Sequence, residues 1–156
     1  MTQPIPHGYH TVTPSLTFKD SKKAIEFYKK AFGAEVIDFL AHPSGTGTMH
    51  ATIKIGNSIL MMGDEMPGEE SCKSVETLGQ SPVNFYVYVA DVDAAYQQAV
   101  AAGATAGMPV MDMFWGDRAG QVKDPFGHSW MLATHKKDMT NDEIQKGARD
   151  FMEKMG

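Results

Sequence analysis

The chain has a single cysteine, Cys72, in 156 residues. That leaves no partner for an intrachain disulfide and no cysteine cluster to hold zinc. Positive charge is also scarce: 14 Lys and Arg against 19 Asp and Glu give a formal net charge of −5. Without a basic footprint, nucleic acid is not an expected partner. No apolar run approaches the roughly 20 residues needed to cross a bilayer, so a membrane partner is not expected either. The opening M-T-Q-P-I-P-H-G-Y-H has neither the basic start nor the apolar stretch of a signal peptide. With the lone thiol, this makes the cytoplasm the expected location. No glycine-rich nucleotide loop follows a strand. What remains is an ordinary globular mixture, 42% hydrophobic and 21% charged, long enough for one domain or two small halves. Twelve methionines suit adaptable core filling or a pliant binding surface.

The chain repeats itself after about 71 residues. T-P-S-L-T-F-K-D-S-K-K-A-I-E-F-Y-K-K-A-F-G-A, from Thr13 to Ala34, returns as N-F-Y-V-Y-V-A-D-V-D-A-A-Y-Q-Q-A-V-A-A-G-A, from Asn84 to Ala104. Asp20 matches Asp91, and Gly33-Ala34 matches Gly103-Ala104 after one deletion. Each copy reads as a strand, a helix capped by Asp20 or Ser21 (Asp91 or Asp93 in the second copy), and a glycine stop. Ala24, Ile25, Phe27, Tyr28, Ala31 and Phe32 form one broad apolar stripe. Further on, 50–62 reads as two strands around Gly56-Asn57, and 121–132 as two strands around Asp124-Pro125-Phe126-Gly127. Less distinct second strands fall at 34–41 and 106–113. Each repeat is therefore a β-α-β-β-β module. The repeats span about 10–63 and 82–135, joined by a linker at 64–81, in a single domain 1–138. The tail 139–156 opens on T-N-D-E, a capping box, and is expected to be helical.

In V-T-P-S-L, A-I-E-F-Y-K-K-A-F-G-A, M-H-A, D-V-D-A-A, F-W-G-D-R, D-P-F-G-H-S-W and L-A-T-H the chain resembles the vicinal oxygen chelate superfamily. That superfamily includes glyoxalase I, extradiol dioxygenases and bleomycin-resistance proteins, and the likeness is narrower to its PhnB-like branch. The resemblance covers nearly the whole chain. It implies an α+β fold in which two modules form a curled eight-stranded mixed sheet around a cavity, with helices outside and an extra C-terminal helix. It also implies a homodimer.

Strand alternation places Leu16, Phe18, Ala51, Ile53, Phe85 and Val87 under the helices and turns their polar neighbours to the other face. With the cavity that the resemblance implies, Thr13 and Ser15 would line it from the first strand, and Asn84, Tyr86 and Tyr88 from the fifth. Leu60, Met62, Gln121 and Met131 would complete its wall. Metal-dependent members of the superfamily place four His or Glu ligands on this face. Carried onto this chain, those positions are Thr13, Leu60, Asn84 and Met131, none of them a donor for a hard or borderline divalent ion. No metal and no other cofactor is expected.

Two groups on this face carry chemistry. His50 lies on the polar side of its strand and is the candidate catalytic base, with an ordinary pKa of about 6.5 suited to proton transfer. Trp115, Asp117 and Arg118, in the connection that leads to Gln121, are either a ligand clamp or a local Asp117 cap with Arg118 braced by an acidic neighbour. Asp124–Gly127 reads as a turn and Trp130 as core. Three functions compete. The first is a small-molecule ligand held in the cavity without chemistry. The second is a metal-independent lyase or isomerase working through His50, and the third is a structural protein with no catalysis.

Overall fold

The computed structural model describes residues 2–156. Residues up to Pro82, together with Pro125–His128, form one compact unit; Val83–Asp124 and Ser129–Gly156 form the other.

The first unit runs β1 (Ser15–Phe18), α1 (Ser21–Phe32), β2 (Glu35–Ala41), β3 (Thr48–Ile55) and β4 (Ser58–Asp64). Its sheet has the order β1-β4-β3-β2, with β1 parallel to β4 and the other pairs antiparallel. Asp20, rather than Ser21, caps α1 by accepting the Lys23 amide, and Gly33 ends the helix at φ 67°. A side chain would strain that left-handed turn. The predicted stripe is buried at Ala24, Ile25, Phe27, Tyr28 and Ala31, and it shares a core with Leu16, Phe18, Ala51 and Ile53. Phe126 of the Asp-Pro-Phe-Gly turn enters this core, edge-on to Phe18 at 5.5 Å and to Phe27 at 6.0 Å. Within the expected linker, Ser74 caps a short helix, α2 (Val75–Leu78).

The second unit repeats the order: β5 (Asn84–Tyr88), α3 (Val92–Ala102), β6 (Thr105–Ala106), β7 (Met111–Asp112), β8 (Asp117–Lys123) and β9 (Ser129–His135), followed by α4 (Asn141–Met155). The sheet order is β5-β9-β8-β6, with β7 also on β8. Asp91 caps α3 through the Ala94 amide, and Thr140 with Glu143 forms the full capping box of α4. The strand expected over 106–113 is split in two. Pro109 has no amide to donate, and the chain loops at Gly107 and Met108, each bonded to Gln121 at 2.8 Å. Trp130 is 1% exposed and donates to Asp124 at 2.9 Å, a core residue as expected. Among the described residues the strands make two mixed sheets and no closed barrel.

Candidate functional site

β8 begins four residues earlier than Gln121, at Asp117, so the acid stands in the sheet and not in the connection. Register places Asp117 opposite His135 of β9, while Tyr86 and Tyr88 of β5 lie opposite Met131 and Ala133 of the same strand. Alternation then gives these side chains one face. Asp117 is 3% exposed, yet it is an ionisable group with four donors on it. Its Oδ2 accepts from the Tyr86 hydroxyl at 2.7 Å, the Tyr88 hydroxyl at 3.0 Å and the Trp115 indole Nε1 at 3.2 Å. Its Oδ1 meets His135 Nδ1 at 2.8 Å, and His135 Nε2 meets Asp138 Oδ1 at 2.7 Å.

The approach to this site is shaped by Gly116 and Phe114. Gly116 has φ 103°, and a Cβ there would overlap the Lys137 carbonyl. Its own carbonyl accepts the amides of Lys136 and Lys137 at 2.9 and 3.0 Å, which ties the end of β9 to the loop that carries Trp115. Phe114 packs against Trp115 with ring centroids 5.0 Å apart and against Phe151 of α4 at 5.7 Å. A Cβ at Gly147 of α4 would strike the Phe114 side chain. The tail helix is thus a buttress for the aromatic loop. An open cleft of ≈ 590 Å³ lies alongside, lined by Asp117, Gly116, Lys136, Lys137 and Met139 among others.

The electrostatics follow from these contacts. Burial alone would raise the Asp117 carboxyl, but hydrogen bonds from His135, Tyr86, Tyr88 and Trp115 outweigh it and hold the group below its ordinary range. His135 moves upward because Asp117 and then Asp138 favour its imidazolium form. Tyr86 is pushed up to about 12 by burial and by its bond to Asp117. Tyr88 is raised chiefly by its own bond to Asp117. Near neutrality the site therefore holds a carboxylate, two neutral phenols that donate, and an imidazole biased toward its charged form.

Arg118 does not belong to this set. Its Nε and Nη2 fork onto Asp93 at 2.9 Å each, and Nη1 reaches Asp112 at 3.2 Å. The clamp expected of Arg118 is therefore replaced by its alternative, a guanidinium braced by acidic neighbours. Asp117 is likewise not a local cap, since its partners are side chains 2, 18, 29 and 31 positions away. Met131 and Gln121 pair across β8 and β9 and are half-buried; Asn84 opens β5 opposite Ser129 and is exposed.

In the first unit, His50 is half-exposed, with Nε2 3.1 Å from Thr52 Oγ1 and 3.8 Å from Asp38. Two wall residues need correction: Leu60 and Met62 are 5% and 2% exposed and belong to the buried side of β4. The residue in register with Ser15 is Met61. Met61 also lines, with Thr13, Pro4, Ile5 and Tyr9, a small open pocket of ≈ 330 Å³. The slip has an arithmetic cause. Asp20 to Asp91 is 71 positions but Gly33 to Gly103 is 70, so after the helix the counterpart of Met131 is Met61.

The correction does not create a metal centre. Thr13 and Met61 in one module, and Asn84 and Met131 in the other, offer hydroxyl, thioether and amide groups where a divalent ion of this superfamily wants imidazole or carboxylate. Among the described residues no group of three or more His, Cys, Asp or Glu is placed to hold a metal. Asp138 is not among the expected site residues, and His135, at the end of the last strand, is expected only as a residue that could reach the cavity rim. The parity Met131, Ala133, His135 along the last strand is the signal that could have found His135.

Comparison with known proteins agrees with this architecture. The model of the glyoxalase/bleomycin resistance protein/dioxygenase superfamily matches residues 9–132. The uncharacterized protein Rv0887c of Mycobacterium tuberculosis is 40% identical over 136 residues, covering 86% of this chain and 79% of its own length. Among solved structures, TioX from Micromonospora sp. ML1 is 28% identical with a TM-score of 0.61, over 84% of this chain and all of its own. A PhnB protein from Bacillus cereus, at 18% identity and a TM-score of 0.61, shares the fold over 80% of this chain and 99% of its own. The chain belongs to the glyoxalase/bleomycin resistance protein/dioxygenase superfamily, with PhnB-like proteins among its structural neighbours.

Proposed function

We propose that the protein binds a small organic molecule on the face of its second module that carries Tyr86 and Tyr88, and that it does so without the superfamily's divalent metal. One observation carries the reading: Tyr86, Tyr88 and Trp115 are gathered around a single buried carboxylate. Tyrosines 43% and 63% exposed would ordinarily be mobile on a surface. Here Asp117 holds their hydroxyls, so their rings are set in place before a ligand arrives. Ordered aromatic walls beside a few polar groups suit a partly apolar ligand, because little rotamer entropy is left to lose on binding. Met131 and Gln121 lie on the same face and add an adaptable floor.

The two tryptophans make the test internal. Trp130 is buried and bonded to Asp124, while Trp115 is at the proposed site. Titration with phenol, a neutral aryl probe, should shift the Trp115 indole N–H signal in NMR spectra and leave that of Trp130 in place. Equal shifts of the two signals, or none, would reject the site.

A second reading is metal-independent acid–base catalysis. What favours it is the His135–Asp117 pair, an imidazole oriented by a buried carboxylate, and in this reading His135 in its protonated form is the proton donor in place of His50 as base. We also propose a homodimer. Val36, Ile37, Phe39 and Leu40 are 42–58% exposed on β2, an edge strand, and such an edge is normally covered or charged. No described helix is long and apolar enough to cross a membrane. A cytoplasmic location suits the exposed free thiol of Cys72.

A further inference from the structure

We propose that the outward nitrogen of His135 is a carboxylate-binding subsite, that Asp138 fills it as an internal stand-in, and that the ligand class is an aromatic carboxylate. The inference rests on the aromatic-face reading above and goes further by naming the charged group of the ligand.

The two nitrogens of His135 are held very differently. Nδ1 is fixed by Asp117, which is 3% exposed and is itself locked by two phenols and an indole. The ring therefore has a fixed aim. Nε2 faces outward, and its partner at 2.7 Å is Asp138, whose side chain is fully exposed. Asp138 lies in the irregular stretch between β9 and α4, and no other hydrogen bond of its carboxylate is present among the described residues. An anion so hydrated gains little by leaving water, so an external carboxylate of equal charge and shape can exchange with it. The N–H it leaves would still point to the same place.

The neighbouring groups choose between ligand classes. A cation is disfavoured, because Asp117 already accepts from four donors and His135, with a carboxylate on each ring nitrogen, is biased toward its positive form. Arg118, next to Asp117 in the chain, is committed to Asp93 and Asp112 and does not offer the bidentate recognition that a phosphate would use. What is left is one directed N–H on a ring whose other nitrogen is fixed, and it suits a single carboxylate oxygen. The ring component follows from connectivity. Trp115, Tyr86 and Tyr88 bond to Oδ2 of the carboxylate whose Oδ1 holds His135. An aryl ring on those side chains can therefore extend its carboxylate toward Nε2. Asp117 and Asp138 are the anions that face the imidazole, and Lys136 is its chain neighbour.

The test uses benzoate and phenol as matched probes on the full chain, read by the Trp115 indole signal and by calorimetry. Asp138 is fully exposed, so Asp138→Ala should fold as the parent does. Below pH 6.5, where Asp117 still favours the imidazolium without help from Asp138, removal of the internal competitor is expected to tighten benzoate binding about fivefold, the scale of one exposed ion pair, while phenol affinity stays the same. His135→Gln should abolish the preference for benzoate over phenol. A benzoate affinity that Asp138→Ala leaves within about twofold, or a preference that survives in His135→Gln, overturns the subsite. Phenol that fails to move Trp115 in the parent chain overturns the aromatic-face reading instead, so the two failures are distinct.

Discussion

Replacing Asp117 with Asn tests the centre of the proposed site with almost no change in volume. The carboxylate accepts three donors at Oδ2 and one at Oδ1. An amide has one acceptor oxygen. Placed at the Oδ2 position it keeps Tyr86, Tyr88 and Trp115, but its NH2 group then faces His135 Nδ1, which must turn from donor to acceptor. The imidazolium form is lost and His135 is forced into the tautomer protonated at Nε2. Bonds to a charged acceptor are worth about 1.5–3 kcal/mol and neutral ones about 0.5–1.5, a difference of roughly 1 kcal/mol each. The tyrosines are partly exposed and can rebond to water, so the sum is roughly 1.5–3 kcal/mol rather than four full increments. Urea denaturation near neutral pH, followed by tryptophan fluorescence, measures it. The pH dependence sharpens the test. Asp117 is held below its ordinary 3.8, so its contribution is present above that value and is lost as pH falls through its folded pKa. His135 is held above 6.5, so its contribution is whole below 6.5 and is lost as pH rises through its folded pKa. The gap between parent and Asp117→Asn should therefore be widest between 3.8 and 6.5 and narrow on either side. A loss under about 0.5 kcal/mol, or a gap that does not vary with pH, would refute the hub.

Leu60→Ala should cost about 2–5 kcal/mol as a buried cavity mutation, whereas Met61→Ala, on the other side of β4, should cost under about 1.5; equal losses in denaturation would contradict the assigned faces. Elemental analysis of protein purified without chelators should find no stoichiometric zinc, nickel, manganese or iron, and about one ion per chain would require ligands beyond the donor set described. Sedimentation should give twice the chain mass of 17.1 kDa; a monomer at all concentrations would reject the proposed dimer.

The parts of this fold that were legible in the sequence depend on neighbours only a few residues apart. Asp20, Asp91 and the Thr140–Glu143 box cap amides three positions away, and Gly33 needs only its own φ. Alternation likewise placed Leu16, Phe18 and Trp130 in the core without knowledge of their partners. Counting across a helix was less secure, because a strand has period 2 and one deleted residue exchanges its faces. The change from 71 to 70 between Asp91 and Gly103 was enough to put Leu60 in a wall that belongs to Met61. The segment Phe114–Arg118 shows a different limit. Its two charged residues are adjacent and, in sequence, form a ready pair. Register separates them: Asp117 faces His135 and the tyrosines, and Arg118 faces Asp93, 25 positions back. Adjacent residues of a strand point to opposite sides, so an Asp-Arg pair inside β8 cannot be one clamp. Had the start of β8 been placed at Asp117 and not near Gln121, parity alone would have divided the pair. It would also have put Asp117 on the face of His135, Tyr86 and Tyr88. The site was therefore hidden by a strand boundary more than by its chemistry, and strand boundaries are set by pairing that no local stretch contains.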